Sequence, residues 1–190
     1  MEIGLYFGSF NPIHNGHLII ANHIANYSPL ERIWFVISPQ NPFKKQTSLL
    51  NHNHRKQLID LAIEGEKKFR SSNIEFKLPT PSYTIDTLSY LQERYPKNSF
   101  TVIMGSDSFQ NVKKWKNGSL ILRDYSILIY KRPGFDINSD MLTENIHLLK
   151  APLLEISSTR IREMIREKKS IRYLVPDIVQ EEIRKQQYYY

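Results

Sequence analysis

The chain contains no cysteine. That excludes a disulfide framework, thiol nucleophiles and Cys-based metal sites. Long apolar runs are also missing. The longest are four or five residues, too short for a spanning helix. The opening Met1-Glu2-Ile3-Gly4 has neither a basic nor an apolar leader region, so no signal peptide is expected. Neither G-x-G-x-x-G nor G-x-x-x-x-G-K-[ST] occurs, which removes the common dinucleotide and P-loop fingerprints. There is no internal repeat, no linker and no low-complexity segment apart from Tyr188-Tyr189-Tyr190.

What is present is a 190-residue chain, 41% hydrophobic, with 26 Lys+Arg against 19 Asp+Glu and a net charge of +7. That length and composition suit one domain with a substantial core. The reading is a basic, cytoplasmic globular protein whose partners are anionic: phosphate-rich small molecules or nucleic acid. No membrane partner is expected, and the oligomeric state stays open.

Hydrophobic periodicity predicts alternating strands and helices. Ile3–Phe7, Ile33–Ile37, Phe100–Met104 and Ser126–Tyr130 read as strands, as do the shorter Ile74–Phe76 and Leu153–Ile156. Helices are predicted after Gly16, over about 54–69, about 83–95 and about 159–168, and from Pro176 onward. Short, uniformly apolar strands between helices predict an α/β fold. It would be a single-domain, Rossmann-like doubly wound parallel sheet over residues 1–190, with a helical C-terminal portion from about 158. Ligands of such sheets sit beyond the carboxyl ends of the strands. Four segments rich in polar and turn residues follow strands there: 8–17, 38–45, 105–107 and 157–162.

The first segment is Gly8-Ser9-Phe10-Asn11-Pro12-Ile13-His14-Asn15-Gly16-His17. Gly8 and Gly16 let backbone approach a ligand. A helix entrance favours phosphate, and His14 and His17, three apart, can point at one anion. The plain alternative is a capped helix with two surface histidines. A zinc site lacks a third ligand at a fixed spacing. The last segment, Ile156-Ser157-Ser158-Thr159-Arg160-Ile161-Arg162, reads as a second helix N-terminus with three hydroxyls and an arginine one turn in. Alone it could be an ordinary N-cap on a basic, solvated helix.

These two segments resemble the G-x-F-D-P-x-H-x-G-H and I-S-S-T-x-I-R signatures of the nucleotidylyltransferase superfamily. The family carries Asp where this chain has Asn11. Three middle stretches resemble the nicotinate mononucleotide adenylyltransferase branch: Pro39-Gln40-Asn41-Pro42-Phe43-Lys44, Ser82-Tyr83-Thr84-Ile85-Asp86-Thr87-Leu88, and Gly105-Ser106-Asp107 with Trp115 following. Arg132-Pro133-Gly134 also fits. Phe43 stands where members often carry His.

The resemblance implies transfer of an adenylyl group from ATP to nicotinate mononucleotide, with Mg²⁺ arriving on ATP and no dedicated metal ligands. It implies catalytic roles for His14, His17, Lys44 and Arg162. ATP would meet Gly8, Ser9, Phe10, His14, Gly16, His17, Gly105, Asp107, Ile156, Ser157, Ser158, Thr159 and Arg162. The mononucleotide would meet Asn11, Lys44, Tyr83, Thr84, Trp115 and Arg132. Each has a plainer reading: Lys44 as a solvated loop charge, Asp107 as a turn cap, Trp115 and Tyr83 as core. Nicotinamide mononucleotide and phosphopantetheine remain alternative acceptors. A nucleic-acid-binding domain, prompted by Lys113, Lys114, Lys116 and the arginines of 160–172, is the alternative from another class.

Overall fold

The computed structural model describes residues 1–40 and 49–190. Its centre is a six-stranded parallel sheet in the order β3-β2-β1-β4-β5-β6. The strands are β1 (Glu2–Gly8), β2 (Arg32–Ile37), β3 (Phe69–Ser72), β4 (Ser99–Gly105), β5 (Ser126–Tyr130) and β6 (Ile146–Leu149). The chain winds outward from β1 to β3, returns to β4, and winds the other way to β6. The reversal falls between β1 and β4, where such sheets open a crevice at their carboxyl ends.

Uniformly apolar strands are buried on both faces, and the registers bear this out. Ile33, Phe35 and Ile37 of β2 face one core; Trp34 and Val36 face the other. The first core is covered by α1 (Asn15–Tyr27), α2 (His52–Ala62), α6 (Ser158–Arg166) and α7 (Asp177–Lys185), through Ile20, Ile24, Leu58, Ile161 and Val179 among others. The second is covered by α3 (Thr84–Arg94) and α5 (Gly118–Asp124), through Leu88, Leu91 and Ile121. The C-terminal helices thus close one face of the same sheet. No helix of the described residues is long and apolar enough to cross a membrane.

Two expected strands fall elsewhere. Ile74–Phe76 belongs to a 3-10 turn, Ile74–Lys77, and the strand next to β2 is the preceding Phe69–Ser72. Leu153–Ile156 is irregular, and the edge strand is Ile146–Leu149, whose register sets Ile127 against Ile146. The helix expected over about 54–69 ends at Ala62, because the chain turns at Gly65 (φ +81°) to enter β3. The loop expected after β4 is a one-turn helix, α4 (Ser106–Phe109), and Pro176 caps α7 rather than beginning it.

Candidate active site

At the end of β1 the chain makes a tight fold-back before α1. Phe10 adopts a left-handed φ of +45° and buries its ring edge-on against Tyr6, Phe35 and His17. A Cβ on Gly8 would stand 2.9–3.1 Å from that ring. The glycine therefore makes room for Phe10 as well as lining the cavity. His14 is the N-cap of α1. Its Nδ1 accepts the backbone N–H of His17 at 3.3 Å, and His17 Nδ1 accepts the backbone N–H of His14 at 3.3 Å. This is a capping box built from two imidazoles, with rings stacked 3.6 Å apart. With both Nδ1 atoms accepting, each neutral ring carries its proton on Nε2. Burial, then the positive charge of Arg132, lowers the pKa of His14 to about 3. His14 is a neutral donor at physiological pH. A Cβ on Gly16 would meet the His14 ring at 3.0 Å, so glycine lets that ring fold back over the first helical turn.

The N-terminus of α6 faces this entrance. Arg162 Nη1 donates to the Asn11 carbonyl at 2.7 Å, and Ser158 Oγ donates to the Pro12 carbonyl at 2.9 Å. Chain ends far apart in sequence are thereby tied at one loop. Ser157 caps α6 by accepting the Arg160 N–H, and Thr159 Oγ1 accepts from Arg162 Nη2. The three hydroxyls thus have structural partners of their own. Arg162 Nε is buried with no hydrogen-bond partner.

The floor comes from β4 and β5. Asp107 lies 3.6 Å from Arg132, whose backbone N–H donates to Ser106 Oγ at 2.9 Å. A Cβ on Gly105 would collide with the Asp107 carboxylate and crowd Arg132. The Tyr6 and Tyr130 hydroxyls meet at 3.2 Å, and burial raises both phenols, which stay protonated. The far wall is the start of α3. Tyr83 is its N-cap, with no side-chain hydrogen bond to close the helix end. The Lys116 ammonium lies 4.9 Å from the Tyr83 ring centre and pairs with Asp86 at 2.8 Å. Trp115 is half-buried, between the second core and the cavity.

All these walls enclose one cavity of about 620 Å³. It is lined by Gly8, Ser9, Phe10, Asn11, His14, His17, Tyr83, Thr84, Gly105, Asp107, Trp115, Arg132, Ser157, Ser158, Thr159 and Arg162. Gly16 and Ile156 are not in its wall. They pack together behind His14 and line a small adjoining crevice. Lys44 lies outside the described residues. Asn11 is 5% exposed, and its Oδ1 accepts the Leu50 N–H at 3.1 Å. An amide oxygen there does the work of an acceptor without a charge.

Two buried charged residues in and behind the site escaped the sequence reading. Arg55 of α2 is fully buried. It donates to the carbonyls of Leu50 (2.8 Å), Ser38 (2.9 Å) and Pro39 (3.2 Å), and to that of Ser9. One guanidinium thus binds together the loops that follow β1 and β2. Burial lowers its pKa to about 10, so it remains cationic near neutral pH. Glu75 is 2% exposed and lines the cavity beside Ser38 and Ser82. No local pattern marks either one: Arg55 sits among polar helix residues, and Glu75 lies in a segment that reads as a strand.

A cytidylyltransferase-like family model matches residues 5–164. A Cytophaga hutchinsonii protein named "Probable nicotinate-nucleotide adenylyltransferase" is 51% identical, over 100% of this chain and 98% of its own length. A Flavobacterium psychrophilum protein of the same name is 49% identical, over 93% and 92%. Among solved structures, Plasmodium falciparum nicotinic acid mononucleotide adenylyltransferase complexed with NaAD superposes with a TM-score of 0.86. Its identity is 24%, and the match covers 99% of this chain and 97% of that one. This likeness establishes the fold.

Proposed function

Since the chain belongs to the cytidylyltransferase-like family, we propose that its cavity joins ATP and nicotinate mononucleotide, giving deamido-NAD and pyrophosphate in NAD biosynthesis. The carrying observation is the His14–His17 pair, which offers two Nε2–H donors on a cavity that Arg162 and the α6 N-terminus share.

In the proposed reaction an oxygen of the mononucleotide 5′-phosphate attacks the α-phosphorus of ATP in line. A new P–O bond forms, the bond to the bridging α,β-oxygen breaks, and its electron pair leaves with pyrophosphate. The nucleophile is already anionic, so no general base and no covalent enzyme intermediate are needed. The work left to the protein is positioning and charge stabilisation. His14 and His17 donate to the α-phosphate as charge builds. Arg162 and the free N–H groups of α6 hold the leaving phosphates. Because Nδ1 of each histidine is occupied by backbone, neither ring has to reorganise during the step. Asp107 accepts from ribose hydroxyls, with Arg132 beside it. Lys44 is assigned to the attacking phosphate, on the resemblance alone.

Tyr83 and Trp115 supply aromatic faces for a flat cationic ring. The uncapped N-terminus of α3 favours an anion, which supports an acid on that ring over an amide. Among the described residues no three His, Asp or Glu side chains gather as a metal-binding group. Mg²⁺ is assigned, on the resemblance, as an ion held by ATP phosphates and water. When bound, it would neutralise part of the phosphate charge.

The test is pyrophosphate release from ATP with nicotinate mononucleotide, nicotinamide mononucleotide and phosphopantetheine in parallel. Nicotinate mononucleotide is expected to be turned over fastest. Release with phosphopantetheine alone would overturn the assignment.

A further inference from the structure

We propose that Glu75 provides the counter-charge for the cationic pyridinium ring of the acceptor, and so makes the enzyme a reader of ring charge. The inference rests on the acceptor assignment above and names the residue that discriminates at that end.

Three observations carry it. First, Glu75 is 2% exposed and forms part of the cavity wall, to which Ser82, Tyr83 and Thr84 also contribute. Second, among the described residues Oε1 accepts from Thr87 Oγ1 at 2.9 Å, whereas Oε2 has no partner in hydrogen-bond geometry, the Ser82 and Ser38 hydroxyls only lying near the carboxyl. Third, no cation among the described residues acts on it. The groups that do are the hydroxyls of Thr87 from α3, Ser82 from the loop before it and Ser38 from the end of β2. A buried carboxylate without a basic partner is costly, and a half-satisfied one more so. If its task were only to hold Thr87, a glutamine would serve through its amide carbonyl. The acceptor supplies the missing cation. A nicotinate ring carries both charges, a positive ring nitrogen and a carboxylate. The wall offers the complementary pair, Glu75 for the ring and the open α3 N-terminus for the carboxylate. Burial raises the pKa of Glu75, opposed by the three hydroxyls. A bound pyridinium would draw it back down.

The experiment compares nicotinate mononucleotide with its 1,4-dihydro form, whose ring is uncharged. Both are titrated calorimetrically into the full chain at pH 8. The wild-type protein is expected to bind the oxidised form at least tenfold tighter. Glu75→Gln, which keeps the Thr87 contact, is expected to shrink that ratio at least fivefold, and Glu75→Asp to keep most of it. A wild-type ratio near one overturns the proposal, and this measurement needs no variant to fold. An unchanged ratio in Glu75→Gln, with both ligands weakened alike, also overturns it and leaves Glu75 as a support for α3. A wild-type protein that binds neither mononucleotide overturns the acceptor assignment instead.

Discussion

Acid should destabilise this protein well before His14 takes up a proton in the native site. The ring is 4% exposed and caps α1 through Nδ1, the atom a proton would take. Its pKa falls from the ordinary 6.5 to about 3. Between those values the unfolded chain binds the proton and the folded chain does not. Stability is therefore whole above pH 6.5 and is lost as the pH falls toward 3. At pH 5 the loss from this residue is about 2 kcal/mol, a figure that hardly changes wherever below 4 the folded value lies. That is a large share of a typical 5–15 kcal/mol. The variant His14→Asn keeps a capping oxygen and removes the titrating ring. Urea unfolding of both proteins at pH 7.5 and pH 5.0 isolates the effect, since the other groups titrate alike in each. The wild-type protein should lose about 2 kcal/mol more than the variant over that interval. A difference below ~0.5 kcal/mol would mean that His14 accepts a proton inside the fold, and the neutral-donor role assigned to it would fail.

Three further outcomes are expected. Arg55→Lys replaces a fork serving four carbonyls with a single point charge. It should cost about 2–4 kcal/mol, seen by calorimetry as roughly a 5–15 °C fall in Tm. Arg162→Lys should lower kcat/KM roughly ten- to a hundredfold and weaken ATP and pyrophosphate together while sparing AMP, measurable by isothermal titration of the three ligands. If AMP weakens as much, Arg162 serves the loop at Asn11 rather than the phosphates. Trp115→Ala should raise KM for the mononucleotide several-fold more than KM for ATP in steady-state assays; equal changes would return Trp115 to the core.

The strands that could be read from sequence are those whose burial is uniform. β1, β2, β4 and β5 lie inside the sheet, are covered on both faces, and are apolar almost throughout. The two edge strands were misplaced for opposite reasons. Phe69-Arg70-Ser71-Ser72 is too polar to announce itself, yet its serines are buried against β2. Around β6 the sequence offers two tetrads of three apolar residues and one polar one, His147 or Glu155, and only pairing with β5 selects Ile146–Leu149 over Leu153–Ile156.

The site divides along the same line. His14 and His17 are legible because a helix entrance and a three-residue spacing are local facts. Their reciprocal Nδ1 bonds follow from the same spacing, once the rings turn back onto the helix end. Arg55 and Glu75 carry no such mark, because what makes them special is distant chain. Arg55 draws its role from carbonyls up to 46 residues away, and Glu75 from Thr87, Ser82 and Ser38. A buried charge is recognised by what surrounds it, and surroundings of that kind exist only after folding. Groups proposed to meet the reacting atoms, as His14 and His17 are, need the right chemistry at a local spacing, so they leave a trace in sequence. A group that acts from distant chain, by tying loops as Arg55 does or by placing a buried charge as Glu75 does, need only reach, and many sequences can supply that.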